Sequence, residues 1–213
     1  MNTKKAVIFD FDGTLVDSMQ LWAEINEEFF GKHAIDFKNE NFNFNNMTQT
    51  EVAHHLVERF SLSQTPALVQ QTWLDMSIRK YSEKNYLKDY VREYLANLHQ
   101  KGIRMAIATA NSEQIVRAVL KIYELDGYIT QIASCCEVKK AKPSPDVFLA
   151  AAKKIKVNPK DCLAFDDTLE GVRSAKAAKM MTYAIHEPYY NRNEEEIRNL
   201  SDGYIYSFEE MCL

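Results

Sequence analysis

Two pairs of acids stand where carboxylates are costly. Asp10 and Asp12 flank Phe11 at the end of the apolar run Ala6-Val7-Ile8-Phe9, and Asp166-Asp167 follow the run Cys162-Leu163-Ala164-Phe165. Runs of this length read as buried strands, too short for helices. Side chains alternate along a strand, so Asp10 and Asp12 are expected to start on one side of it. Two acids facing one way there repel each other and resist desolvation unless a cation sits between them. Hard oxygen ligands suit Mg2+, which commonly takes only a few carboxylates and keeps its other positions for water and phosphate. Asp10, Asp12, Asp166 and Asp167 are therefore the candidate metal ligands.

Two more stretches offer groups to an anion. Thr109-Ala110-Asn111 precedes a helical pattern and supplies a hydroxyl and backbone N–H groups at a helix start. Lys142 precedes Pro143, which pushes its backbone to an extended form, and supplies a positive charge. Singly, these features have ordinary explanations: an Asp-Gly turn, a helix N-cap, a capping turn, a solvated lysine. Asp10 inside an apolar run has no such explanation, and beside the acids the lysine and threonine gain a purpose.

The elements that must position these groups follow from periodicity. Strands are expected at residues 5–9, 103–108, 128–133, 162–165, 181–185 and 204–206. Helices are expected over 18–32, 48–60, 66–81, 88–100, 112–123, 145–155 and 168–178, with a short one at the terminus. Asp17 and Ser18 read as N-cap residues of the first helix. The asparagine-rich stretch 38–46 reads as a solvated connection. Strands alternating with helices at this spacing predict βαβ units and a mostly parallel, doubly wound α/β sheet. Residues 17–86 carry no strand signal, so they read as a helical cap inserted into a core of residues 1–16 and 87–213. In such a sheet, ligands bind beyond the carboxyl ends of the strands. All four polar stretches fall there.

Composition narrows the function classes. The chain has 213 residues, 46% hydrophobic and 26% charged, with a formal net charge of -4. That balance provides no basic field for nucleic acid. The four cysteines, Cys135, Cys136, Cys162 and Cys212, form no Cys-x-x-Cys pair, so neither a disulfide framework nor a zinc knuckle is expected. The basic start Met1-Asn2-Thr3-Lys4-Lys5 leads only into a strand-length apolar run, and no stretch reaches the length of a membrane span. A cytoplasmic protein with no membrane partner is expected. Nothing in the sequence demands more than a monomer.

The four stretches together resemble the signature of the haloacid dehalogenase-like hydrolase superfamily, in its β-phosphoglucomutase-like phosphatase branch with a small helical cap. Asp10-Phe11-Asp12-Gly13-Thr14-Leu15-Val16-Asp17-Ser18 matches the first motif and Thr109 the second. Lys142 in Lys142-Pro143-Ser144-Pro145-Asp146 matches the third, and Asp166-Asp167 before Thr168-Leu169-Glu170-Gly171-Val172 the fourth. The resemblance implies that Asp10 is the nucleophile and forms an aspartyl-phosphate. It implies that Asp12 is the general acid and then the base. It also implies that Mg2+ binds Asp10, the Asp12 backbone carbonyl and Asp167, with Asp166 close. Thr109, backbone amides at Ala110 and Asn111, and Lys142 would hold the phosphoryl oxygens.

Departures from the branch refine the expectation. Trp22 stands where mutases carry a cap-side histidine, and Gln49 where they carry a phosphate-binding arginine. A mutase must grip two phosphates, so these changes favour simple hydrolysis. The presence of Asp12 argues against dehalogenation and phosphonate hydrolysis. The expected function is Mg2+-dependent hydrolysis of a small phosphorylated metabolite, such as a sugar phosphate. A β-phosphoglucomutase-type mutase and a non-catalytic phosphometabolite-binding protein are the alternatives. Specificity is expected in the cap, around Asn46, Thr48, Gln49 and His54, while His54 and His55 by themselves read as surface groups.

Overall fold

A computed structural model describes residues 4–36 and 47–212. The asparagine-rich stretch and Asn46 lie outside these residues. Six strands form one sheet: β1 (Ala6–Phe9), β2 (Arg104–Thr109), β3 (Gln131–Ser134), β4 (Cys162–Asp166), β5 (Met181–Ile185) and β6 (Gly203–Ile205). Their order is β3-β2-β1-β4-β5-β6, and every neighbouring pair is parallel. The expected mostly parallel sheet is parallel throughout.

Helices cover both faces of this sheet, and the strand sequences say why. Ala6, Ile8, Ala106, Ala108 and Ala133 point to one face, where they pack on α7 (Asp146–Lys154) and α8 (Leu169–Ala177). Val7, Phe9, Met105, Ile107 and Ile132 point to the other, against α4 (Val91–Gln100) and α5 (Glu113–Ile122). Alternation of side chains sorts small residues from large ones, so one face admits closely packed helices and the other carries the bulky core. Phe9, Phe165, Tyr94 and Phe208 interlock there with ring centroids 5.2–6.2 Å apart.

Between β1 and α4 run α1 (Met19–Lys32), α2 (Gln49–Phe60) and α3 (Pro66–Glu83). α1 and α3 are tied by Lys80–Glu24 at 2.8 Å and Arg79–Glu28 at 2.5 Å. The chain leaves and re-enters the sheet layer side by side. Val16 and Leu87 form an antiparallel bridge, the Asp17 amide donates to the Tyr86 carbonyl at 2.7 Å, and the Lys88 amide donates to the Leu15 carbonyl at 3.0 Å. This pairing corrects one expected boundary. Residues 88–90 are not helical, because Lys88 is held extended by Leu15, and α4 starts only at Val91 after Tyr90 at φ 61°.

Other boundaries shift for local reasons. The expected strand 128–133 is β3, three residues later, because the Tyr128 and Ile129 amides both turn back to the Leu125 carbonyl. The short α6 (Cys135–Val138) then follows, capped by Ser134, whose hydroxyl accepts from the Glu137 amide at 3.1 Å. α9 (Glu194–Leu200) lies where no helix is expected, with three glutamates in its first turn. Lys179 takes φ 62° and makes the left-handed turn into β5.

Candidate active site

The sheet register brings the acids together. Phe9 is paired with Phe165, so the next residues, Asp10 just past β1 and Asp166 at the end of β4, lie level with each other. Carboxylate oxygens of Asp10, Asp166 and Asp167 lie within 4.8 Å of one another, and all three side chains are buried. Two glycines make room for them. A Cβ on Gly13, which holds φ +80°, would fall 2.3 Å from Asp167 Oδ2, and a Cβ on Gly171 would fall 1.9 Å from Asp166 Cγ. Asp167 Oδ1 accepts from the Thr14 hydroxyl at 2.9 Å. Asp167 Oδ2 is buried with no hydrogen-bond donor among the described residues.

Lys142 closes this cluster. Its Nζ donates to Asp10 Oδ1 at 2.5 Å and to Asp166 Oδ2 at 2.7 Å, and it lies 5.3 Å from the Phe148 ring centre. An ammonium has three protons, so one remains for a further acceptor. Burial works against the Lys142 charge, yet Asp10 and Asp166 outweigh it and hold its pKa above the ordinary value. Burial raises the Asp10 carboxyl from 3.8 to about 7, opposed by Lys142 and reinforced by Asp166. Asp167 is pushed well above the ordinary carboxylate value, first by burial and then by Asp166 and Asp10. One lysine among three buried carboxylates leaves an excess of negative charge. That excess and the unpartnered Asp167 oxygen fit a divalent cation held by carboxylates.

Asp12 does not share this cluster, contrary to the expectation that it starts on the same side as Asp10. Its carboxylate is turned to a set of donors of its own. Oδ1 accepts from Ser18 Oγ at 2.7 Å, Trp22 Nε1 at 2.7 Å and Tyr81 OH at 3.1 Å, and Oδ2 accepts from Asn111 Nδ2 at 2.9 Å. Charge-assisted bonds outweigh neutral ones. Ser18 accordingly serves Asp12 and makes no side-chain cap on α1, and Asp17 is exposed. The side chain of Asp12, expected among the metal ligands, is thus no member of the acid cluster that could hold a metal.

The remaining sequence-derived residues separate into two groups. Thr109, at the end of β2, is buried and accepts from the Asn111 amide at 3.0 Å. Ala110 lines the same cavity, of about 570 Å³, as Asp10, Asp12, Lys142 and Asp167. Gln49 reaches Asn111 Oδ1 at 3.5 Å. Thr48 is a buried helix cap, its hydroxyl accepting from the Glu51 amide at 3.2 Å while its own amide donates to Glu51 Oε2 at 2.7 Å. His54 and His55 are exposed on α2, and neither lines this cavity.

A family model described as haloacid dehalogenase-like hydrolase matches residues 4–179. The chain belongs to the haloacid dehalogenase-like hydrolases. Membership makes it an enzyme of the hydrolase class. Hexitol phosphatase B of Escherichia coli is 26% identical over 195 residues, covering 86% of this chain and 84% of that protein. Protein CbbY of Cereibacter sphaeroides is 25% identical over 202 residues, covering 90% and 87%. Among solved structures, CbbY from Rhodobacter sphaeroides in complex with phosphate superposes with a TM-score of 0.83 at 24% identity, covering 98% of this chain and 96% of that one. β-Phosphoglucomutase from Clostridium difficile gives 0.77 at 17% identity, covering 98% and 93%. The hydrolase fold is therefore shared along nearly the whole chain.

Sequence reasoning missed three contributors. Tyr81 lies 69 positions from the acid it serves, at a place in a helical pattern that reads as core. Trp22 is marked in the sequence only as standing where mutases carry a histidine, and nothing there shows that its indole N–H is spent on Asp12. Gly171 reads only as part of a helix start. A glycine inside a helix against its propensity was the available signal.

Proposed function

We propose that this hydrolase is a Mg2+-dependent phosphatase that cleaves a small phosphorylated metabolite through an aspartyl-phosphate at Asp10. The carrying observation is the buried trio Asp10, Asp166 and Asp167, in which Lys142 bridges Asp10 and Asp166, with Asp10, Asp167 and Asp12 lining one cavity. Asp10, Asp166, Asp167 and the Asp12 carbonyl would hold Mg2+. When bound, that ion supplies positive charge that offsets repulsion between the Asp10 carboxylate and the phosphoryl group. The Lys142 ammonium, the Thr109 hydroxyl and the amides at Ala110 and Asn111 orient the phosphoryl oxygens.

Asp10 attacks phosphorus, and the ester P–O bond breaks. Asp12, as general acid, hands a proton to the departing alcohol oxygen. The carboxylate of Asp12 then takes a proton from water as the water oxygen attacks phosphorus. The bond to Asp10 breaks, and inorganic phosphate leaves with Asp10 again a carboxylate and Asp12 again carrying a proton. Residues 17–86 act as the cap in this reading, and residues 1–16 and 87–213 as the core. The cap residues Ser18, Trp22 and Tyr81 hold Asp12, so they orient the proton donor. The cap also excludes water from the reacting centre.

Hydrolysis is favoured over mutase chemistry by Gln49, a neutral group where a second phosphate would need a cation. The names of the relatives put hexitol phosphates among the first compounds to screen. The test is release of p-nitrophenol from p-nitrophenyl phosphate, with and without Mg2+, by the wild type and by Asp10→Asn. Turnover that needs Mg2+ and disappears in Asp10→Asn is expected. Turnover that survives Asp10→Asn would overturn the aspartyl-phosphate.

A further inference from the structure

A second cavity, of about 220 Å³, opens beside the acid site under α1, α2 and α3. Ala110 lines both cavities, so the two adjoin there. Its walls are Trp22, Phe30, Val52, Leu56 and Trp73, together with Met47. The polar groups that reach it are the amides of Asn26, Gln49 and Asn111, and no charged side chain lines it among the described residues. At about 30 Å³ per water, the space equals that of roughly seven waters.

Its position relative to the reaction follows from Trp22. The Trp22 indole N–H holds Asp12, the proposed proton donor, while the residue also walls this cavity. The leaving oxygen must come within hydrogen-bond reach of Asp12. Whatever is attached to that oxygen therefore starts beside Trp22 and continues past Ala110 into the second cavity. Two of its polar groups are already engaged: Asn111 Nδ2 on Asp12 at 2.9 Å, and Gln49 Nε2 toward Asn111 Oδ1 at 3.5 Å. Trp73 is different. Its Nε1 is buried and has no acceptor among the described residues. With almost no accessible surface, that atom offers the cavity no donor.

We infer that the second cavity takes the alcohol portion of the substrate, and that this portion is an uncharged, apolar or aromatic group. The inference rests on the phosphatase reading for the placement of phosphorus, but the cavity's chemistry stands apart from it. A polyhydroxylated chain would strip its hydroxyls of water against Trp22, Phe30, Leu56 and Trp73, with few partners in return. A second phosphate would find no cation on these walls. A ring or short alkyl group loses nothing and buries apolar surface.

Trp22 and Trp73 are the only two tryptophans of the chain, and both line this cavity, so tryptophan fluorescence reports its occupant directly. The experiment uses the intact wild-type protein and two esters of primary alcohols, 2-phenylethyl phosphate and sorbitol 6-phosphate. It records kcat/KM with Mg2+ and the fluorescence titration for each, with acetyl phosphate turnover as a measure of the core chemistry. At least tenfold higher kcat/KM for 2-phenylethyl phosphate, with a saturable fluorescence change, is expected. Equal or better turnover of sorbitol 6-phosphate, while acetyl phosphate is also hydrolysed, overturns the inference and leaves the phosphatase reading standing. A saturable fluorescence change with 2-phenylethyl phosphate alone, without turnover of any ester or of acetyl phosphate, upholds the cavity and overturns the phosphatase reading.

Discussion

Gly171→Ala tests whether the space behind Asp166 is what holds the acid cluster together. The added Cβ would meet the Asp166 carboxylate at 1.9–2.0 Å. Ordinary contact begins near 3.4 Å, so Asp166 or α8 must move by about 1.4 Å. Asp166 is fully buried and accepts from the Thr168 amide at 3.0 Å, the Thr168 hydroxyl at 2.8 Å and Lys142 at 2.7 Å. Both Thr168 bonds end on Oδ1, so one displacement weakens them together. Bonds to a charged group contribute about 1.5–3 kcal/mol each, and alanine returns about 1 kcal/mol of helix propensity. The net cost is roughly 2–5 kcal/mol. At about 2–4 °C per kcal/mol for a chain of this size, Tm falls by roughly 4–20 °C. A displacement of about 1 Å near the reacting atoms costs on the order of 100-fold in rate, so kcat/KM for p-nitrophenyl phosphate falls at least that far. Gly31→Ala is the control, since its Cβ meets nothing within 4 Å. It lies in α1 and should leave Tm unchanged or raise it. Thermal unfolding and steady-state kinetics of the two variants settle the matter. A Gly171→Ala protein within threefold of wild-type activity and with an unchanged Tm would refute the reasoning.

Three further outcomes follow from the same cluster. The Asp10 carboxyl has a folded-state pKa raised from 3.8 to about 7, so its contribution to stability is full below about pH 4 and lost as pH rises toward 7. The metal-free protein should lose Tm over that window, and 10 mM Mg2+ should restore it at pH 8 but not at pH 5. Equal Mg2+ shifts at both pH values would remove the carboxylate cluster as the metal site. Lys142→Met leaves Asp10 and Asp166 buried without their cation and should cost about 3–5 kcal/mol in urea unfolding without metal. Added Mg2+ should recover part of the loss, and a variant as stable as wild type would contradict the bridging role. Tyr81→Phe removes a donor 3.1 Å from Asp12 and should cost about 1.5–3 kcal/mol of stability and lower kcat more than it raises KM. A change in KM alone would show that Tyr81 serves substrate binding instead.

Asp10 was legible because it breaks a local rule, and the second acid pair, the lysine and the threonine were legible only beside it. Asp10 interrupts an apolar strand, and Asp166-Asp167 follow another at the same sheet edge. The alternation of strands and helices was legible for a similar reason, since period-2 and 3.6-residue patterns are local properties. Gly171 and Tyr81 were not. Gly171 matters through the volume it leaves for a side chain five positions earlier, and Tyr81 through a contact 69 positions away. α9 escaped because its short pattern carries only Ile197 as a buried residue. Local periodicity has little to grip in such a segment.

By itself, then, the sequence determined the α/β class, the inserted helices and the identity of the charged groups, because these depend on composition and short-range spacing. Only the tertiary structure decided which carboxylate joins which partner. Asp10 and Asp12 are two residues apart, yet one lies against Lys142 and Asp166 while the other is held by Ser18, Trp22, Tyr81 and Asn111. That split depends on donors brought in by α1, α3 and the end of β2. A carboxylate turns toward the donors that reach it, and no spacing along the chain records which will arrive.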